Sequence, residues 1–159
     1  MLITIVFFII VIFSLLFLLN QHNNENQYCA ATIDSRFKIP NQEASYKVDI
    51  KLVRNSNTTG YVKILGTITA DKTYSINRVV HFDMLASEQV NYLKLSVDFE
   101  LKAKNDDVSD EIFNKYFRMF SLNSVGFVEI NEINPALYLF SSSLGPYFVC
   151  MVHDELSAF

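Results

Sequence analysis

The sequence predicts a mainly β protein: an N-terminal transmembrane helix, then an antiparallel curved sheet or barrel of about eight strands with one helix. Three observations carry this expectation. The run Leu2–Leu19 holds no charge and only Thr4 and Ser14 interrupt its apolar row. From Tyr28 onward apolar and polar residues alternate strictly, the period of strands with one buried face. One stretch, from Ile112 to Phe120, repeats its apolar residues at helical spacing instead.

As a helix, Leu2–Leu19 reaches roughly 27 Å, close to the hydrocarbon thickness of a bilayer. A cleaved secretory signal would start with basic residues, carry a shorter apolar stretch and end in small residues. Here no Lys or Arg precedes Leu2, and the run gives way to Asn20-Gln21-His22-Asn23-Asn24-Glu25-Asn26-Gln27. Residues 1–19 are therefore expected to be an uncleaved transmembrane signal anchor, 20–27 a polar linker and 28–159 one β-domain on one side of the membrane. Cys29 lies beyond the linker, which disfavours a lipid-modified cysteine directly after the apolar run. Charge bias is nearly silent on orientation, because the N-terminal side has no Lys or Arg.

The two cysteines, Cys29 and Cys150, bracket the domain. An even pair so placed reads as a disulfide formed in an oxidising compartment, the alternative being two buried free thiols in a cytosolic domain. Joined with the anchor, a bridge favours a single-pass protein of the bacterial inner membrane with its C-terminal domain in the periplasm.

Along the domain, Cys29, Ala31, Ile33 and Phe37 share one face of a first strand, and Tyr46, Val48, Ile50 and Leu52 one face of a second. The polar loop from Arg54 to Gly60 reads as a hairpin connection to a third strand carrying Val62, Ile64 and Ile68. Asp71-Lys72 turns the chain into a fourth, with Tyr74, Ile76, Val80 and Phe82 inward. In the fifth, Leu93, Leu95, Val97, Phe99 and Leu101 oppose Lys94, Ser96, Asp98, Glu100 and Lys102. After the charged loop Lys104-Asn105-Asp106-Asp107 comes one amphipathic helix, with Ser109 as N-cap and Asp110 and Glu111 in its first turn. Strands are expected again at Val125–Ile130, Ala136–Phe140 and Tyr147–His153, parted by Asn134-Pro135 and by the loop Ser141–Pro146. In a closed barrel the first and last strands are neighbours, so a Cys29–Cys150 bridge would staple the seam.

Catalytic signatures are missing, so no enzyme, cofactor or metal site is expected. His22, His81 and His153 lie far apart, and no zinc-hydrolase or nucleophile-elbow pattern occurs. His81 with Asp83 reads as a solvent-facing pair, His153-Asp154-Glu155 as a solvated tail, and Ser141–Ser143 as a loop. Four scattered glycines form no phosphate-cradling loop. With a net charge of −4 and Lys and Arg spread singly, direct nucleic-acid binding is not expected. The many Phe and Tyr residues either fill a core or line a barrel that holds one apolar ligand.

The layout resembles the FidL-like membrane proteins of enteric bacteria and their relatives of the PsaF, MyfF and ToxS type. The resemblance rests on the short anchor, the Asn/Gln-rich spacer, the segment from Tyr28-Cys29-Ala30-Ala31 to Arg36-Phe37, and the closing Tyr147-Phe148-Val149-Cys150. It implies a lipocalin-like barrel and a co-component role. The periplasmic domain would pair with that of a single-span, ToxR-like winged-helix transcription regulator and stabilise or modulate it, with a bile salt or other apolar ligand in the chamber. Two other functions fit the same residues: a membrane-tethered binder of an apolar small molecule acting alone, and an envelope assembly subunit.

Overall fold

The computed structural model describes Ile12, Ser14 and residues 27–39, 42–87 and 92–154. The expected anchor and linker therefore lie outside the described residues, apart from the helical Ile12 and Ser14 and from Gln27, which already belongs to a strand. No helix among the described residues is long and apolar enough to cross a membrane.

The chain forms a closed antiparallel barrel of β1 (Gln27–Ile39), β2 (Gln42–Arg54), β3 (Thr59–Thr69), β4 (Thr73–Ala86), β5 (Tyr92–Lys102), β6 (Val125–Asn134), β7 (Leu137–Ser142) and β8 (Gly145–Asp154), each paired with its neighbour in sequence. Between β5 and β6 the chain leaves the wall to form α1 (Asp110–Tyr116) and a 3-10 turn, Arg118–Phe120. Period-2 alternation fills the interior with Val48, Ile50, Val62, Ile64, Ile68, Ile76, Val80 and Phe82, all 2 % exposed or less. Gly66 has φ +155° and sits opposite Val48, where an added Cβ would lie 2.2 Å from the Lys47 carbonyl oxygen. Only glycine lets these two long strands approach and coil there.

Pairing is uneven around the wall. β1 and β2 run together from Tyr28–Ile39 against Gln42–Val53, and the ladders from β2 through β5 are nearly as long. β5 meets β6 only along Tyr92–Ser96, and β1 meets β8 only along Gln27–Ala30. Beyond Ala30 those two strands part, and their seam is pinned by the Cys29–Cys150 disulfide, with a Cα–Cα distance of 5.5 Å. The bridge forecast from the cysteine positions is therefore present and spans the closing strands.

Several local expectations are corrected. In β5 the register slips between His81 and Phe82 of its partner, leaving Asp98 as a bulged residue. Beyond it every side chain changes face: Phe99 and Leu101 point outward, 48 % and 52 % exposed, and Glu100 points in. The helix is shorter than the Ile112–Phe120 periodicity suggests, because Phe117 leaves helical geometry at φ −122°, ψ 40°. β6 runs on to Asn134, and Ser141, Ser142 and Pro146 belong to strands joined by a tight turn at Ser143-Leu144, not to a loop. His153 is no solvated tail residue, since it lies in β8 and stacks on Tyr28 at 5.2 Å.

Candidate ligand chamber and its lid

Where β1 and β8 part, a cavity of about 620 Å³ opens beneath α1 and the 3-10 turn. Ile33, Tyr46 and Ile50 line it from β1 and β2, Phe148 from β8, and Tyr116, Phe117 and Phe120 from the lid. Its lining rings Tyr46 and Phe117 lie 4.9 Å apart, and Phe37 packs behind them, 5.5 Å from Tyr46 and 5.8 Å from Tyr116. Arg118, Asn123 and Ser124 add polar groups to this lining, so the cavity has an apolar, aromatic part and a polar part. Leu144, 97 % exposed, stands on the β7–β8 turn at the rim.

The lid forms locally for the reasons read from the sequence. The Ser109 hydroxyl caps α1 by accepting from the Ile112 N–H at 3.3 Å, and Asp110 and Glu111 complement the positive end of the helix. Phe113 is fully buried, and its ring stacks on Phe117 at 5.2 Å. The break at Phe117 lets Phe117 and Phe120, each 5 % exposed, both turn inward.

Arg78 fastens this lid to the wall. It occupies an inward position of β4 between Ile76 and Val80 and is fully buried. Its Nε donates to Asp106 Oδ2 at 3.0 Å, its Nη1 to Glu100 and its Nη2 to the Val108 carbonyl at 2.7 Å, and Nη1 also lies in an ion pair 3.1 Å from Asp110 Oδ1. The guanidinium also lies 4.2 Å from the centre of the Phe113 ring, a cation–π contact. Burial acts against the charge, but hydrogen bonds and charge from Asp106 and Glu100 outweigh it and raise the Arg78 pKa above its ordinary value. Asp106, 6 % exposed, accepts in addition from the backbone N–H of Asn77 and of Val108. The Asp107 carboxylate accepts from the Ser75 N–H at 2.6 Å, which ties the segment before α1 to β4.

Sequence reasoning counted Arg78 among cations scattered singly along polar strand faces, whereas it is fully buried. Asp106 does lie in the charged loop read from the sequence, but buried there against Arg78. One signal was available for Arg78: it interrupts the apolar register Tyr74, Ile76, Val80, Phe82. Glu100 was hidden by the bulge. Tyr116 belongs to the aromatic side of the helix read from its spacing, but the state of its hydroxyl had no sequence signal. This hydroxyl is buried and has no hydrogen-bond partner among the described residues, an arrangement that costs about 1–3 kcal/mol. His81 sits between the rings of Tyr61 and Phe99, and among the described residues no three His, Cys, Asp or Glu side chains converge as a metal site.

These features define a class: a small disulfide-closed β-barrel with a lidded, aromatic-lined chamber. A family model described as "FidL-like putative membrane protein" matches residues 66–150, just over half of the chain. The chain belongs to the FidL-like family, whose description associates it with membranes. No curated protein matches the sequence.

Proposed function

We propose that this FidL-like protein is held by its N-terminal apolar run in the bacterial inner membrane, with the barrel in the periplasm, as an accessory subunit of a membrane-bound winged-helix transcription regulator. It binds the regulator's periplasmic domain and stabilises or modulates it, and the lidded chamber lets an apolar ligand such as a bile salt influence the pair. The observation that carries this reading is the parted β1–β8 seam. It puts two unpaired strand edges, Ala31–Ile39 and Gly145–Cys150 among the described residues, beside the aromatic-lined cavity. A strand of a partner domain can complete such edges, and a ligand in the cavity then touches both proteins. The buried bridge between Cys29 and Cys150 supports an oxidising compartment.

The test is a tagged pull-down from native membranes in mild detergent at native expression, with partners identified by mass spectrometry. Recovery of a single-span protein with a cytoplasmic DNA-binding domain is the expected result. Recovery of envelope machinery, or of no partner, would move the assignment to an assembly subunit or to a solitary ligand binder respectively.

A further inference from the structure

A second concavity, about 460 Å³, lies over β1, β2 and β3, with Ile50 common to its lining and to that of the lidded chamber. Lys51 and Lys63 face each other in it as direct cross-strand partners. Elsewhere on these strands directly opposed charges have opposite signs, as in Asp34 with Lys47 and Lys38 with Glu43. Like charges so placed repel, their Cβ atoms lying about 4.5–5.5 Å apart, and no ion pair among the described residues compensates either lysine. Lys51 rests instead 3.8 Å over the Tyr28 ring, which stacks in turn on His153. The groove's one carboxylate, Asp49, accepts from the Thr32 hydroxyl at 2.6 Å.

We propose that this groove holds the phosphate diester of a phospholipid headgroup, with Lys51 and Lys63 sharing the phosphate and Asp49 accepting from a headgroup hydroxyl or ammonium. An anion between the lysines relieves their repulsion, and the Tyr28 ring with Leu65 gives the glycerol backbone an apolar wall. Position favours a lipid over a free anion. Tyr28 lies at the start of the barrel, and residues 20–26 reach at most about 25 Å from the apolar run, so the groove stays within range of the headgroup layer. This placement rests on the membrane-anchored reading above.

The test uses the full chain in detergent micelles with its lysines 13C-methylated, followed by NMR. It is titrated with short-chain phosphatidylglycerol, with the soluble headgroup glycerophosphoglycerol, and with inorganic phosphate. The Lys51 and Lys63 resonances are expected to shift saturably with the lipid and more weakly with the soluble headgroup, while Lys94 on β5 stays still. Lys63→Gln, checked as folded by its intact disulfide, should weaken the response at Lys51 by about tenfold, the loss of one charge-assisted hydrogen bond. Saturation by inorganic phosphate at the same or lower concentration would overturn the lipid assignment. No saturable shift at either lysine would overturn the site. The soluble-headgroup arm needs no anchor and no regulator, so failure of the pull-down and failure of this proposal are separate results.

Discussion

The two sides of this barrel are built differently. β1 to β5 form a long half in which each strand pairs along most of its length, whereas β6 to β8 form a short half joined to it by the brief β5–β6 and β8–β1 ladders. Exposed large apolar residues occur on both halves, with Leu65, Leu85, Phe99 and Leu101 on the long one, and are denser on the short one. Val125, Phe127, Ile133, Leu144, Tyr147, Val149 and Met151 all belong to the short half, where β6–β7 and β7–β8 each carry a bulge. The lid and the chamber lie between the halves. The long half supplies the scaffold, and the short half is joined to it by two brief ladders and one disulfide.

Breaking the seam tests this most severely. Cys29→Ser opens a bridge across 121 residues of sequence, and chain entropy predicts a loss of about 4–5 kcal/mol. Equilibrium unfolding under oxidising conditions measures it, and a mutant as stable as the parent would refute a structural bridge. Next comes Asp106→Ala, which leaves Arg78 buried without its main partner and should cost about 3–5 kcal/mol. Arg78→Met combined with Asp106→Ala should recover much of that loss, and equal losses in the single and double mutants would show that the ion pair is not what holds the lid. Tyr116→Phe is smaller and opposite in sign: it removes an unpartnered buried hydroxyl and should raise stability by up to about 1 kcal/mol. Destabilisation by that substitution would point to a partner for the hydroxyl within the chain.

The smallest effect lies in the β3–β4 turn, on the long half. The Tyr74 hydroxyl donates to Asp71 at 2.8 Å, and this bond lowers the Asp71 pKa below 3.8 and raises that of Tyr74 above 10.0. The stability linked to Asp71 is present above its unfolded value and is lost as pH falls through the lowered one. The part linked to Tyr74 is complete below its unfolded value and is lost as pH rises through the raised one. In an ultraviolet titration Asp71→Asn should return Tyr74 toward 10.0, and an unmoved transition would remove the hydrogen bond as its cause.

The contrast between the halves also explains what could be read from the sequence. In β1 to β4 the two-residue period is interrupted on the inner face by Arg78 and Gly66 but not shifted, so faces and core followed directly from residues such as Val48, Ile64 and Ile76. The cysteines and the Ser109 cap were legible for the same reason, since each depends on local chemistry or on chain order. Asp98 ended that legibility in β5, because one bulged residue inverts every later side chain and no local composition marks it. Asp106 depends on Arg78, a partner 28 residues away, and the Tyr116 hydroxyl becomes unusual only once the fold buries it. The chamber could be foreseen only as an excess of aromatic residues, not as a place.

Hydrogen exchange of the full chain, with the disulfide intact and peptides resolved by mass spectrometry, tests the division most directly. Amides of β2 to β4 should exchange only through global unfolding, while those of β6, β7, α1 and Gly145–Cys150 exchange at a lower opening free energy. Equal protection around the whole barrel would contradict the account, because the short half would then be as fixed as the scaffold that carries it.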